Sequence, residues 1–410
     1  MKRASEKGLI LNLLCLALLT NTAIAQNKEL IPPVRHNSEI TAAQFSANDE
    51  LLVTASTDGI TKLWDAESGK IIRAFGVKQN PNPNFMATLS PDGELIATIN
   101  GRNGRVWNTK FGDLAFQLLG YGDTLKAVHF SNNTKWIITA SLDGIAKLWE
   151  SNSGKHHHRL DHSKSLQKED FAGVTEAKFC NQDKWLITGS NKLIEAYMQD
   201  STLKNKSSNG NEGLKRFATY DSSAIMWDLK SGKIVHSIVG YPIDVSYDGK
   251  FIITGSETMK DSSARVWDVV TGKLIRSLKG HTGRVTSCEF SHDEKKIITL
   301  SREDGICKMW DAPTGRLAFG VKAGQPNRKM TAHFSQDSKW IATFSGDSSK
   351  VWEASSGKFL YAVACTRPIT FSNHGKTIVV ISGKQAVFCE GLTGKPIIFE
   401  GDRAKSLKVR

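Results

Sequence analysis

Residues 156–162 read His-His-His-Arg-Leu-Asp-His, which puts four imidazoles and a carboxylate in one short stretch. Zinc takes such donors, provided the chain folds them onto one point. On an extended strand His156 and His158 share a face and His157 points away. The run then reads as a polar edge strand that discourages aggregation, with zinc as the lesser alternative. Cysteine offers less. Beyond Cys15 near the N-terminus five remain, Cys180, Cys288, Cys307, Cys365 and Cys389, odd in number and irregularly spaced, with no Cys-x-x-Cys pair. Cys307 and Cys389 sit in apolar runs, where cysteine acts as a small hydrophobe, so mostly buried free thiols are expected. There is no Gly-x-Ser-x-Gly, no phosphate-binding glycine loop, no His-Glu-x-x-His and no isolated carboxylate pair. The expectation is a protein without a catalytic centre, cofactor or metal.

The elements that would carry these residues repeat. Trp64, Trp107, Trp149, Trp227, Trp267, Trp310 and Trp352 are 43, 42, 78, 40, 43 and 42 residues apart. An eighth unit ends at Cys389-Glu390, with cysteine in the tryptophan's place. KLWDAESGK recurs as KLWESNSGK, MWDLKSGK, RVWDVVTGK, KMWDAPTGR and KVWEASSGK. Its glycine marks a tight turn. Upstream, LLVTAS recurs as WIITAS, WLITGS, FIITGS, KIITLS and WIATFS, apolar without alternation and therefore covered on both faces. A strand such as VTSCEFS precedes each of these runs and one such as KLIRSL follows the glycine. Each unit is thus four short antiparallel strands, and the His156 run falls on a fourth, outer strand.

Eight such units resemble the WD-repeat (WD40-type) family of β-propellers, over nearly all of residues 36–401. The resemblance implies an all-β fold, a single β-propeller of four-stranded antiparallel blades. Eight units favour eight blades, and a ring of seven with one displaced unit stays open. Glu29–Val34 and Pro396–Gly401 compete to finish the last blade. The resemblance also implies a structural tetrad of His, Ser or Thr, Trp and Asp. Repeat six offers His281, Ser301, Asp304 and Trp310, and repeat one His36, Ser56, Asp58 and Trp64. Tyr121 replaces the histidine in repeat three and Gln325 in repeat seven.

The pattern breaks in repeat four, where Ser190 and Trp227 lie 37 residues apart against 8 for Ser141 and Trp149. Residues 191–218 are therefore a loop insertion. Its LKNKSSNGNEGLKR run (203–216) predicts a mobile loop, and LIEAYM (193–198) a strand-like edge. Asp161–Ala172 and Glu257–Ser262 are lengthened too. Second-to-third-strand turns and inter-blade links leave a blade at the same end, so all three insertions gather on one face over blades three to five. Long loops on a rigid ring carry binding residues. The candidates for partner contact are Lys168, Phe171, Tyr197, Lys204, Lys206, Lys215 and Arg216.

The N-terminus predicts export. Lys2, Arg3 and Lys7 precede an apolar Gly8–Leu19 stretch interrupted by Asn12, and Ala23-Ile24-Ala25 suits cleavage before Gln26. A retained signal anchor is the alternative. Residues 1–25 thus read as a signal peptide, 26–401 as the propeller and 402–410 as a basic tail, in a secreted or periplasmic protein. The whole chain carries +13, and loss of the leader would leave +11. The cations are dispersed, which favours a solubilising surface and argues against nucleic acid. The resemblance implies a non-enzymatic scaffold that binds a protein or peptide. A binder of anionic polymer or membrane surface, with tail residues Arg403, Lys405, Lys408 and Arg410, is one alternative. An enzyme with a cofactor in the central channel is the other.

Overall fold

The computed structural model describes residues 28–30, 34–76, 85–162, 173–180, 183–199, 214–240, 243–256 and 261–400. Every named element among them is a strand. Eight antiparallel sheets of four strands follow one another, and each blade touches the next until blade eight meets blade one. This excludes the seven-bladed ring. Blade six shows the pattern, with Val285–Phe290 inside, then Lys296–Ser301, Ile306–Asp311 and Leu317–Lys322 outside. The second strand is the most buried because neighbouring blades cover both of its faces. Ile298, Leu300, Cys307 and Met309 of blade six pack on Met330, Ala332, Phe334, Ile341 and Trp352 of blade seven. Each large apolar side chain buried this way contributes about 1.5–3 kcal/mol. The core therefore lies between blades.

A second contact repeats near the rim, where an outer-strand residue meets the glycine turn of the next blade. A Cβ on Gly272 (φ +66°) would stand 2.6 Å from the His236 ring, so only glycine fits. His236 Nε2 lies 2.9 Å from the Val270 carbonyl, and His158 Nε2 lies 3.0 Å from that of Lys230. Arg73 donates to the Phe111 and Lys110 carbonyls at 3.0 and 3.1 Å. The histidine run belongs to this girdle. His156–Asp161 is the outer strand of blade three, as the repeat predicts. The alternation expected within it is corrected. A bulge opposite Leu148 and Trp149 turns His157 toward His158, and their ring centres are 4.3 Å apart. Among the described residues no group of three or more His, Cys, Asp or Glu is disposed to hold a metal.

Blade eight is closed by both ends of the chain. Thr370–Phe371, Thr377–Ser382 and Gln385–Glu390 supply three strands, and Val34–Arg35 pairs with Ala386 and Gln385 as the fourth. Val34 is fully buried among Val379, Ile381, Ala386 and Phe388. The other end of the same edge takes Pro396, bridged to Cys389, and Ile397, whose N–H donates to Phe388 at 3.0 Å. Lys28–Leu30 then pairs with Ile398–Glu400. The two segments expected to compete for the edge share it instead.

The insertion in blade four is corrected in part. Trp185–Gln199 and Leu214–Asp228 are strands of 15 residues each, paired without a break. The blade's inner and outer strands end opposite Ser190 and Ser223. Beyond them Asn191–Gln199 and Leu214–Ser222 run on as a two-stranded ribbon about 30 Å long. The alternating, aromatic-rich RFATY segment pairs in register with LIEAYM, which forms the strand edge expected of it, and Leu214–Arg216, expected within the loop, are strand. Residues 200–213 lie outside the described set.

Candidate functional site

Seven of the eight blades are pinned at one corner by a tryptophan, whose indole N–H donates to a threonine hydroxyl. In blade six Trp310 Nε1 donates to Thr299 Oγ1 at 2.7 Å, and Thr299 Oγ1 is 2.8 Å from His281 Nε2. His281 Nδ1 meets Asp304 Oδ2 at 2.8 Å. A neutral imidazole satisfies this chain with every donor facing an acceptor. Burial, opposed by Asp304, lowers the His281 pKa and keeps the ring in that state. In blade one Trp64 donates to Thr54 at 2.8 Å and His36 Nε2 is 2.7 Å from the same hydroxyl. There Asp58 holds the Ile60 N–H at 3.1 Å, and His36 Nδ1 has no partner. Burial, then Lys62, pushes His36 down to about 4.

The hydroxyl in both corners corrects the sequence reading. It is Thr299 rather than Ser301, and Thr54 rather than Ser56; the Ser301 and Ser56 hydroxyls are buried without partners. Both residues lie on the same face of their strand, and register separates them: the threonine lies opposite Lys308 or Lys62, two places from the tryptophan, whereas the serine lies two places farther along. The signal was present, because every unit with a tryptophan has a threonine at that place and the eighth has Val380. Tyr121 fills the histidine's place in blade three, accepting from Trp149 at 3.1 Å and bonding Thr139. Gln325, its counterpart in blade seven, is exposed. A histidine was missed in blade four. His162 is fully buried, 3.2 Å from Thr188 Oγ1, which accepts from Trp227 at 2.8 Å. Burial pushes His162 to about 4. The lengthened link hides it when counting back from Phe179. Counting forward from the outer strand finds it, two residues after Leu160 as His36 follows Val34.

The inner strands line the central channel, and one register position faces it in every blade. Its occupants are Gln44, Thr88, His129, Lys178, Asp244, Glu289, His333 and Thr370. Inner strands are sheet edges with spare N–H groups, and several of these residues cap the next blade. Gln44 Oε1 accepts from Leu89 N–H at 3.1 Å, Asp244 from Phe290 at 2.9 Å and Glu289 from Phe334 at 2.9 Å. Lys178 lies 3.0 Å from Asp244 and 3.4 Å from Glu176, and His333 Nδ1 lies 2.8 Å from Glu289. Enclosure works against the Lys178 charge, but Asp244 and Glu176 outweigh it and raise its pKa. Enclosure likewise opposes protonation of His333, and Glu289 more than offsets it. His129, without such a partner and facing Lys178, is driven down to about 4, chiefly by burial.

Of the residues expected to touch a partner, Tyr197 stands opposite Arg216 on the ribbon, and Met198 opposite Lys215. Lys168, Phe171, Lys204 and Lys206 lie outside the described residues.

The sequence model described as WD domain, G-beta repeat matches residues 31–65, 112–150, 232–268 and 272–311, which fall on blades of this ring. The chain is a WD-repeat β-propeller. It is 24% identical to the autophagy-related protein 16 of Arabidopsis thaliana over 77% of its length and 48% of that protein. It is 21% identical to the serine-threonine kinase receptor-associated protein of Bos taurus, over 65% of this chain and 76% of that one. A U3 small nucleolar RNA-associated protein 21 homolog of Schizosaccharomyces pombe is 30% identical, over 30% of this chain and 13% of that protein. The propeller thus spans less than half the length of the first of these relatives. The computationally designed Ika8 protein shares the fold, with a TM-score of 0.66 at 20% identity over 88% of this chain and 99% of that one. The C-terminal WD40 domain of Sif2 has a TM-score of 0.65 at 15% identity, over 88% and 97%.

The propeller's five described cysteines are buried thiols outside any disulfide. Burial pushes the thiols of Cys180, Cys307 and Cys389 up to about 12 and raises that of Cys288 well above its ordinary value. Thiols in that state are poor nucleophiles. No helix among the described residues is long and apolar enough to cross a membrane.

Proposed function

We propose that this propeller is an exported, non-enzymatic scaffold that presents the ribbon of blade four, with the lengthened segments beside it, to a protein or peptide partner. The ribbon carries the reading. A two-stranded ribbon is marginal in water by itself, and this one is anchored at its base by a packed blade. Tyr197, Lys215 and Arg216 stand on it; in sequence Lys168 and Phe171 belong to the lengthened link before blade four, and Lys204 and Lys206 to the stretch between the ribbon's strands. Tyrosine and arginine are usual energetic anchors, while lysines speed encounter. Support also comes from relatives, one of which is named as associated with a receptor.

Joining Ser190 to Ser223 through an Asp-Gly turn tests the site. Blades one and three make the same connection with a short turn, so the ring is expected to fold within about 1–2 kcal/mol of wild type. Crosslinked pull-downs from the native compartment are expected to lose the partner. Recovery of the same partners at wild-type affinity by the shortened protein would sink the assignment. Export is tested separately by N-terminal sequencing, which is expected to begin near Gln26. A chain beginning at Met1 would overturn it.

A further inference from the structure

We propose that the channel wall formed by blades four to seven binds an organic cation, a guest bearing an ammonium or guanidinium group. The site is independent of the ribbon. A cavity of about 380 Å³ is lined by Glu176, Lys178, Asp244, Glu289 and His333, with Thr286 and Thr331 among its hydroxyls. It adjoins the channel mouth, a space of about 1200 Å³. Tyr247 lines both and is 76% exposed, so its ring stands at the threshold without being needed in the core. An exposed aromatic face attracts cations.

Capping alone does not account for the charges on this wall. Gln44 caps the next blade with a neutral amide, accepting from the Leu89 N–H and from the Thr88 hydroxyl at 3.0 Å. Asp244 and Glu289 do the same work as carboxylates. Around the ring the charged positions are contiguous, Lys178 to His333, while Thr370, Gln44, Thr88 and His129 form a neutral half. Three carboxylates line the cavity with one ammonium and the imidazoles of His292 and His333, an acidic lining inside a chain that carries +13 overall. Lys178 is engaged by Asp244 and Glu176 together. The carboxylates are held by their N–H and Lys178 contacts, so a guest finds them already oriented.

His333 makes binding pH-dependent. It faces Glu289 from blade six, Asp244 from blade five and Lys178 from blade four, with Thr331 on its own strand. A guest cation competes with its proton for Glu289, so affinity rises as pH climbs through the His333 titration. His129 is neutral across that range.

Calorimetry of the full chain with agmatine, which carries both head groups, tests the site. Asp244→Asn and Glu289→Gln keep an acceptor for the backbone N–H, and each is expected to weaken binding about tenfold, or about 1.4 kcal/mol. His333→Gln is expected to bind with no pH dependence, and Thr88→Val on the neutral wall to bind as wild type. The exposed Tyr247→Ala, which leaves the core untouched, is expected to weaken binding severalfold. A capped Gly-Arg-Gly peptide distinguishes sources. Binding of the peptide assigns a partner's side chain, and binding of agmatine alone a free amine; either supports the site. No heat with either probe at about 10 mM, well above the millimolar range of a weak contact, overturns the proposal. So does agmatine binding that Asp244→Asn, Glu289→Gln and Tyr247→Ala all leave unchanged.

Discussion

In blade six Trp310, Thr299, His281 and Asp304 form an unbroken run of hydrogen bonds, and the strand beside them is one continuous segment. In blade eight the tryptophan and threonine positions hold Cys389 and Val380, both buried, and the outer edge is pieced together from Val34–Arg35 and Pro396–Ile397. The polar pair is absent as a unit. A buried indole N–H needs an acceptor, and a buried hydroxyl needs a donor or a carbonyl, so losing both leaves nothing unsatisfied. Blade eight replaces bonds with packing, and each corner is sound only with its own partners.

Exchanging parts between the corners separates the two solutions. Trp310→Ala is expected to have the largest effect, about 3–5 kcal/mol for the lost side chain, with the stranded Thr299–His281 contact added. Trp107→Ala, whose described bond is the single one to Thr98 at 3.0 Å, is expected to cost less; equal losses of melting temperature would count against the blade-six chain.

Acid comes next. His36 and His162 have folded pKa values near 4, below the ordinary 6.5. Their contribution is fully present above pH 6.5 and is lost as pH falls from 6.5 toward 4. At pH ~4.5 each is expected to cost roughly 2–3 kcal/mol. Hydrogen exchange resolved by blade is expected to show blades one and four loosening first, and blade eight, which has no corner histidine, least affected. Uniform loosening would break the comparison.

Thr299→Val and Val380→Thr are expected to destabilise by about 1–3 kcal/mol each, the first by orphaning Trp310 and His281 and the second by burying a lone hydroxyl. Urea midpoints read both, and stabilisation by either would show that packing, not bond pairing, sets the corner. The smallest effect belongs to Ser301→Ala. Its hydroxyl has no partner, so a change within about 0.5 kcal/mol is expected. A loss as large as that of Thr299→Val would restore Ser301 to the corner.

The ring and its eight units were legible because tryptophan, the S/T-G-K turn and the apolar second strand recur at one period. What was not legible depended on alternation or on distant pairing. Ser301 and Thr299 are hydroxyl residues on the same face of one strand, and only their register against the tryptophan strand, opposite Ile306 and Lys308, separates them. His162 was displaced from its expected count by the long link. The ribbon needed RFATY to be matched across a Gly/Ser/Asn-rich run with LIEAYM, and composition alone favoured a loop. The channel wall was invisible for another reason, since its residues come one from each blade and gain meaning only when the ring closes.

The seam between blades one and eight sets when the molecule can finish folding. Asp49 gathers the Asn373 and His374 N–H groups and the His374 ring, a contact between residues 325 positions apart. Val34 finds its place only after Ala386 exists. Contacts so distant in sequence form slowly, so a chain emerging N-terminus first holds seven blades with an unfilled edge until its final strands arrive. During that interval the exposed edges of blade one and of the last completed blade can pair with other chains. Synthesis and refolding at high concentration are therefore expected to lose protein at this step, and a chain stopped before Gln385 to aggregate although every earlier blade is intact.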